Sequence, residues 1–106
     1  VKELKKLNKK TKTKDMDIID IFSEVTDRDE MRRLFSELFT PHEINDITLR
    51  WELMKLLKEG HSQREIAQRL GISLCKITRG AKILKDNNAV LTKILAQPGF
   101  TAGDRP

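Results

Sequence analysis

Between Ser62 and Lys82 the chain reads Ser-Gln-Arg-Glu-Ile-Ala-Gln-Arg-Leu-Gly-Ile-Ser-Leu-Cys-Lys-Ile-Thr-Arg-Gly-Ala-Lys. No other stretch constrains the fold as much. Ile66, Leu70, Ile72 and Ile77 fall where two short helices around a tight turn bury apolar side chains, and Ala67 is small enough for the helices to approach closely. Gly71 supplies the left-handed backbone that side chains disfavour. The remaining positions are mainly polar or basic. The pattern predicts a helix-turn-helix over about 62–84, a motif that lays its second helix in the DNA major groove.

The rest of the composition fits one small helical domain. A chain of 106 residues buries only about two-thirds of its unfolded surface, and all-helical domains of this size commonly complete their core by pairing with a copy of themselves. With 38% hydrophobic and 35% charged residues the sequence reads as globular. No apolar run approaches the roughly 20 residues of a membrane span, and the basic first residues lead into no apolar core, so neither a membrane partner nor a secretion signal is expected. The one cysteine rules out an internal disulfide and fits a reducing cytoplasm; a DNA partner would place the protein at the nucleoid. The net charge of +5 is segregated: residues 1–14 carry +6, residues 15–49 carry −7 and residues 50–93 carry +6. Positive charge gathered on the motif-bearing half favours a polyanion partner, because phosphate neutralisation supplies much of DNA affinity.

In chain order, residues 1–14 read as a basic flexible arm, lying along phosphates or merely aiding solubility. Residues 15–97 read as a single all-helical DNA-binding and dimerisation domain, and residues 98–106 as a disordered tail. Met16, Ile18, Ile19, Ile21, Phe22 and Val25 populate more than one stripe of a first helix, more apolar surface than one face of a lone helix needs. Met31, Leu34, Phe35, Leu38 and Phe39 form a clean amphipathic face on a second. Thr40-Pro41-His42-Glu43 opens a long third helix with a capping box and a proline at the first helical position; Gly60 ends it. Ser62 and Glu65 form a second capping box. The recognition helix runs from about Ser73 to Leu84, and Asn88 is placed to cap a short sixth helix.

For DNA, the candidate residues are Gln63 and Arg64 at the start of the fourth helix and Ser73, Leu74, Cys75, Lys76, Thr78 and Lys82 on the fifth. Leu74 and Thr78 suit a thymine methyl, the Thr78 hydroxyl a base edge or ordered water, and Arg64 either a phosphate or a guanine. Lys76, Lys82 and Lys85 suit phosphates. Cys75 reads either as a weak base contact or as a small filler packed against a neighbouring helix. No catalytic or metal-binding pattern emerges: His42 and His61 lie in no ligand spacing with Cys75, and no phosphate loop or nucleophile motif is present. The expectation is a non-enzyme that requires no cofactor.

Thr40-Pro41 before a long helix, Ser62-Gln63-Arg64-Glu65 and above all Ile77-Thr78-Arg79-Gly80 resemble the tryptophan operon repressor family over roughly Leu38 to Lys85. The resemblance implies an all-α, intertwined homodimer of about six helices per chain. Its two recognition helices would reach successive major grooves of a near-palindromic double-stranded operator, about 34 Å apart. It also admits L-tryptophan as a corepressor, held between the third helix and the recognition helix with its indole sandwiched by two arginines. Arg79, with Gly80 after it, matches the recognition-helix arginine. Arg50 matches the other when counted from Thr40; counting back from Ser62 places Leu49 there. One residue turns a helix by about 100°, so the register leaves open whether Arg50 faces the ligand, and surface or phosphate-binding roles stand beside the ligand role for both arginines. Ile83 stands where the family helps to hold the ligand's amino group with a serine, while Thr40 keeps a hydroxyl at the other edge of the site.

The reading that follows is a bacterial, sequence-specific transcriptional repressor. Its alternatives are a ligand-independent regulator of the same family, the DNA-recognition subunit of a mobile-element recombinase, and a helical interaction protein whose motif merely packs.

Overall fold

The computed structural model describes residues 14–99. The expected arm lies outside the described residues up to residue 13, as does the expected tail from residue 100 onward; Lys14, assigned to the arm, is the first residue of a helix. Six helices form among the described residues: α1 Lys14–Glu24, α2 Arg28–Leu38, α3 Pro41–Lys58, α4 Gln63–Leu70, α5 Leu74–Leu84 and α6 Val90–Leu95. The fold is all-α, as the periodicities require. Backbone packing divides the chain into a unit ending at Ile44 and a second beginning at Asn45.

In the first unit, Asp27 caps α2 by accepting a hydrogen bond from the Glu30 amide at 2.9 Å. Asp29 and Glu30 then sit in the first turn, against the positive end of the helix dipole. Phe22 of α1 meets Phe35 and Phe39 with ring centroids 5.7 and 6.3 Å away, and Phe35 lies 5.2 Å from Phe39. This aromatic triad joins the two helices, yet none of the residues of α2 is buried. The capping box at the start of α3 is reciprocal: Thr40 Oγ1 accepts from the Glu43 amide at 3.1 Å, and Glu43 Oε1 accepts from the Thr40 amide at 2.9 Å.

The second unit holds the compact core. Leu53 and Leu56 of α3, Ile66 of α4 and Ile77 of α5 are buried together, with Leu57, Ala67, Leu70 and Ile72 packed against them. α3 stops where Gly60 adopts a φ of 94°. The His61 amide then reaches the Leu56 carbonyl at 3.2 Å and the Gly60 amide the Leu57 carbonyl at 3.1 Å, the pairing of a Schellman motif that satisfies the last carbonyls of a helix. Lys55 is buried; its Nζ pairs with Glu52 Oε1 at 2.8 Å and lies 5.9 Å from the centre of the Trp51 ring. Lys58 Nζ donates to the Leu95 carbonyl at 3.3 Å, and Thr92 Oγ1 to the Ile83 carbonyl at 3.0 Å, so α6 is tied to both α3 and α5.

One expected cap is corrected. Ala89, not Asn88, stands at the N-cap of α6 and makes no side-chain capping bond. Asp86 turns the chain first: its Oδ1 accepts from the Asn88 amide at 2.9 Å and its carbonyl from the Ala89 amide at 3.1 Å. The extended cap geometry therefore falls one residue later than the side chain suited to it. Val90 is 71% exposed, whereas Leu95 is buried.

Gly80 is buried in the middle of α5, and a Cβ there would meet Met54 Sδ at 3.0 Å and Leu57 Cδ1 at 3.1 Å. Because Met54 is itself buried, it has little room to yield. Gly80→Val should destabilise the fold by about 2 kcal/mol, in the range of core overpacking, read as a lower urea midpoint at unchanged slope.

Candidate nucleic-acid interface and adjoining cleft

Two local devices set the helix-turn-helix. Ser62 caps α4, its Oγ accepting from the Glu65 amide at 3.1 Å; Ser73 caps α5, its Oγ accepting from the Lys76 amide at 3.4 Å. Between them Gly71 takes a φ of 64° and its amide donates to the Ala67 carbonyl at 2.9 Å, which closes α4 and starts the turn. Ile66 and Ile77, both 0% exposed, pin the two helices face to face. With α5 rotated so that Ile77 and Gly80 point inward, the opposite face is fixed by the helical period.

Gln63, Arg64, Ser73, Leu74, Cys75, Lys76, Thr78 and Lys82 are all exposed. Leu74 is 59% exposed, an unusual position for a leucine on an otherwise basic surface. Cys75 is exposed, so the reading in which it fills space against a neighbouring helix of the same chain is overturned: in the first turn of α5 it lies on the side away from Ile77. Glu65, in the first turn of α4, does not offset the cations freely. Its Oε1 lies 3.2 Å from His61 Nδ1 and its Oε2 3.8 Å from Arg69 Nη1. α5 contains no acidic residue. Its exposed surface is therefore uniformly cationic where it is charged, the condition for following a phosphate backbone.

On the other side of α5, between it and α3, lies a cleft of about 450 Å³. Ile47, Arg50, Trp51 and Met54 of α3 line it, as do Lys76, Arg79, Gly80 and Ile83 of α5, with Leu53 and Leu91 completing the walls. Both helices contribute the same i, i+3, i+4, i+7 spacing, one stripe from each. Of the two residues that the register left open, Arg50 lines the cleft; Leu49, one position earlier, is half-buried and is not among the lining residues. Arg50, Arg79, Gly80 and Ile83 are thus brought to one cavity. Thr40 belongs to the first unit, where its hydroxyl caps α3. The walls that the sequence reading missed are Ile47, Trp51, Leu53, Met54 and Leu91, and Lys76, expected only towards DNA, also lines the cleft. Ile47, Trp51 and Met54 were recoverable from the helical spacing around Arg50; Leu91 had no such signal, because it arrives from another helix. Among the described residues no cluster of histidine, cysteine and carboxylate side chains is placed to hold a metal ion, and no helix is long and apolar enough to cross a membrane.

Fold and surface together define a helix-turn-helix protein with an exposed basic face backed by a cleft. The Trp repressor protein family matches residues 15–98. A Trp operon repressor homolog of Xylella fastidiosa (strain M23) is 39% identical over 72 residues, 67% of this chain and 78% of the relative. A Trp operon repressor homolog of Vibrio cholerae is 31% identical over 86 residues, covering 76% and 84%. One from Chlamydia trachomatis serovar L2 is 35% identical over 66 residues, covering 61% and 70%. No solved structure matches. The chain belongs to the Trp repressor family, a family of DNA-binding transcriptional regulators.

The two faces of α5 should separate cleanly under mutation. Ile77→Ala, which empties a fully buried site, should cost about 2–5 kcal/mol of stability. Thr78→Ala, one residue on and exposed, should stay within about 0.5 kcal/mol of the parent; urea unfolding of both variants measures the contrast.

Proposed function

We propose that this chain is a sequence-specific DNA-binding transcriptional repressor that acts as a homodimer in the bacterial cytoplasm. The observation that carries the reading is the exposure of Leu74, Cys75, Lys76, Thr78 and Lys82 on α5, a helix anchored by the buried Ile77 and Gly80. In a major groove this face offers Leu74 and the Thr78 methyl to thymine methyl groups and the Thr78 hydroxyl to a base edge or a bridging water. Gln63 and Arg64, exposed in the first turn of α4, fit phosphates near the positive end of that helix. Lys76 and Lys82 add charge along the backbone.

Self-association has its own support. In the first unit Ile18, Ile19 and Leu38 are 41%, 53% and 48% exposed, and a groove between Val25 and Ile44 is lined by Met31 and Phe35. An aromatic triad with that much uncovered apolar surface around it fits a pair of helices that finish their core against a second copy. Two copies would carry two recognition helices, which fits a near-palindromic operator.

The cleft is the effector site in this reading, with L-tryptophan as corepressor. Guanidinium groups on two facing helices suit a flat aromatic ring, because arginine stacks on aromatic faces. A ligand seated between α3 and α5 favours whichever tilt of α5 it contacts better, and so biases DNA affinity by its differential binding.

Thr78→Ala should weaken binding to a selected operator about tenfold while leaving mixed-sequence DNA unaffected. Lys82→Ala should weaken both and reduce the salt slope of log Kd by about one. Fluorescence anisotropy across a salt series distinguishes the two; unchanged operator affinity in Thr78→Ala and in Arg64→Ala would remove this reading face. Titration calorimetry with L-tryptophan should give saturable heat and a tighter operator complex. No heat at millimolar ligand, with DNA binding unchanged, would leave a ligand-independent regulator.

A further inference from the structure

The turn that leads into the helix-turn-helix holds a histidine between two carboxylates. His61 Nε2 lies 3.4 Å from Glu59 Oε1, and His61 Nδ1 lies 3.2 Å from Glu65 Oε1. A neutral imidazole carries one N–H and one lone pair, whereas the imidazolium donates from both nitrogens. Only the protonated ring therefore satisfies both carboxylates at once. Loss of its proton sets a nitrogen lone pair against one of the two anions. The charged groups that face the ring come from both neighbouring helices. Glu59 follows the last residue of α3, Glu65 projects from the first turn of α4, and Arg69 Nη1 stands 3.8 Å from the second Glu65 oxygen. Lys58 and Lys55, near the end of α3, are engaged elsewhere, with the Leu95 carbonyl and with Glu52.

This cluster adjoins the residues assigned above to phosphates. The His61 amide is held on the Leu56 carbonyl, Ser62 beside it caps α4, and the exposed Gln63 and Arg64 follow. With the ring neutral, residues 59–69 balance two carboxylates against two guanidinium groups; with it protonated they carry a net positive charge.

We propose that His61 couples DNA affinity to pH: its imidazolium neutralises Glu59 and Glu65 beside the phosphate contacts of α4, and deprotonation uncovers their charge and weakens binding. This rests on the reading of the start of α4 as a phosphate contact and adds a regulation to it. Histidine is the side chain whose ordinary titration falls between about pH 5 and 8. A phosphate brought to the start of α4 favours the charged ring, so DNA binding takes up protons and, reciprocally, acid tightens DNA binding. The gain is present at low pH and is lost as pH rises through the titration of the ring. It acts on phosphates, so operator and mixed-sequence DNA share it, and salt screens it.

Fluorescence anisotropy of the full chain on both DNAs in low salt, at about pH 6 and about pH 7.5, tests this. The Kd of the parent should rise about two- to fivefold at the higher pH, the size of one exposed ion pair. His61→Gln, which cannot titrate, should bind equally at both, while His42→Gln should keep the parent's rise. Proton NMR gives a second readout, because the chain has two histidines and His42→Gln leaves the His61 ring alone in the spectrum. Its titration midpoint should move to higher pH when mixed-sequence DNA is added. A pH-independent Kd in the parent, an undiminished rise in a His61→Gln protein with the parent's circular dichroism, or a midpoint that DNA does not move overturns the proposal and leaves the DNA surface standing. Absence of DNA binding at either pH overturns that surface, and the proposal with it.

Discussion

The seating of α5 on the long helix is the contact on which the rest depends. Ile77 is 0% exposed against Leu53, Leu56 and Ile66, and one turn later Gly80 brings its backbone to the Met54 and Leu57 side chains. An isoleucine followed three residues later by a glycine is a knob next to a flat place. The first fixes how α5 is rotated, and the second fixes how near it lies. Rotation decides that Leu74, Cys75, Thr78 and Lys82 are exposed; closeness decides that Arg79, Gly80 and Ile83 form one wall of a cleft whose other wall is Arg50, Trp51 and Met54. One packing contact therefore sets both the exposed basic surface and the cavity behind it.

That arrangement also gives a physical basis for regulation. Side chains of opposite faces of an eleven-residue helix move together when the helix tilts. Under the proposed function, occupancy of the cleft and fit to DNA would be two readouts of one element, which is the minimum that reciprocal coupling requires. The electrostatics run in the same direction. The one acid of α4 sits among His61 and Arg69, and α5 has none, so nothing on this helix offsets the cations at either the surface or the cleft.

Much of this was legible in the sequence. The Ser62 and Thr40 caps, the stop at Gly60 and the turn at Gly71 were each readable, because a cap or a left-handed residue is a matter of a few neighbouring atoms. The exposure of Cys75, Thr78 and Lys82 followed from one buried isoleucine and a period of 3.6. The misplaced cap at Asn88 shows the limit of such reasoning: the Asp86 carboxylate, two residues earlier, takes the Asn88 amide, and the cap position falls on Ala89. Cys75 shows another. Its residue type suits burial and exposure alike, and only the azimuth of its helix separates them.

The sequence by itself determined the helices, most of their ends, the basic character of one half and the family, since capping, periodicity and charge are properties of near neighbours along the chain. The tertiary structure decided what faces what. Whether Arg50 or Leu49 stands opposite Arg79 is a difference of one residue, about 100° around a helix, and no local signal resolves it. The packing of Leu53, Leu56 and Met54 under α5 does, by turning the 47–50–51–54 stripe towards the 76–79–80–83 stripe. The cleft, its excess of positive charge and the contribution of Leu91 from a third helix exist only at that level, because a cavity belongs to the space between elements rather than to any one of them.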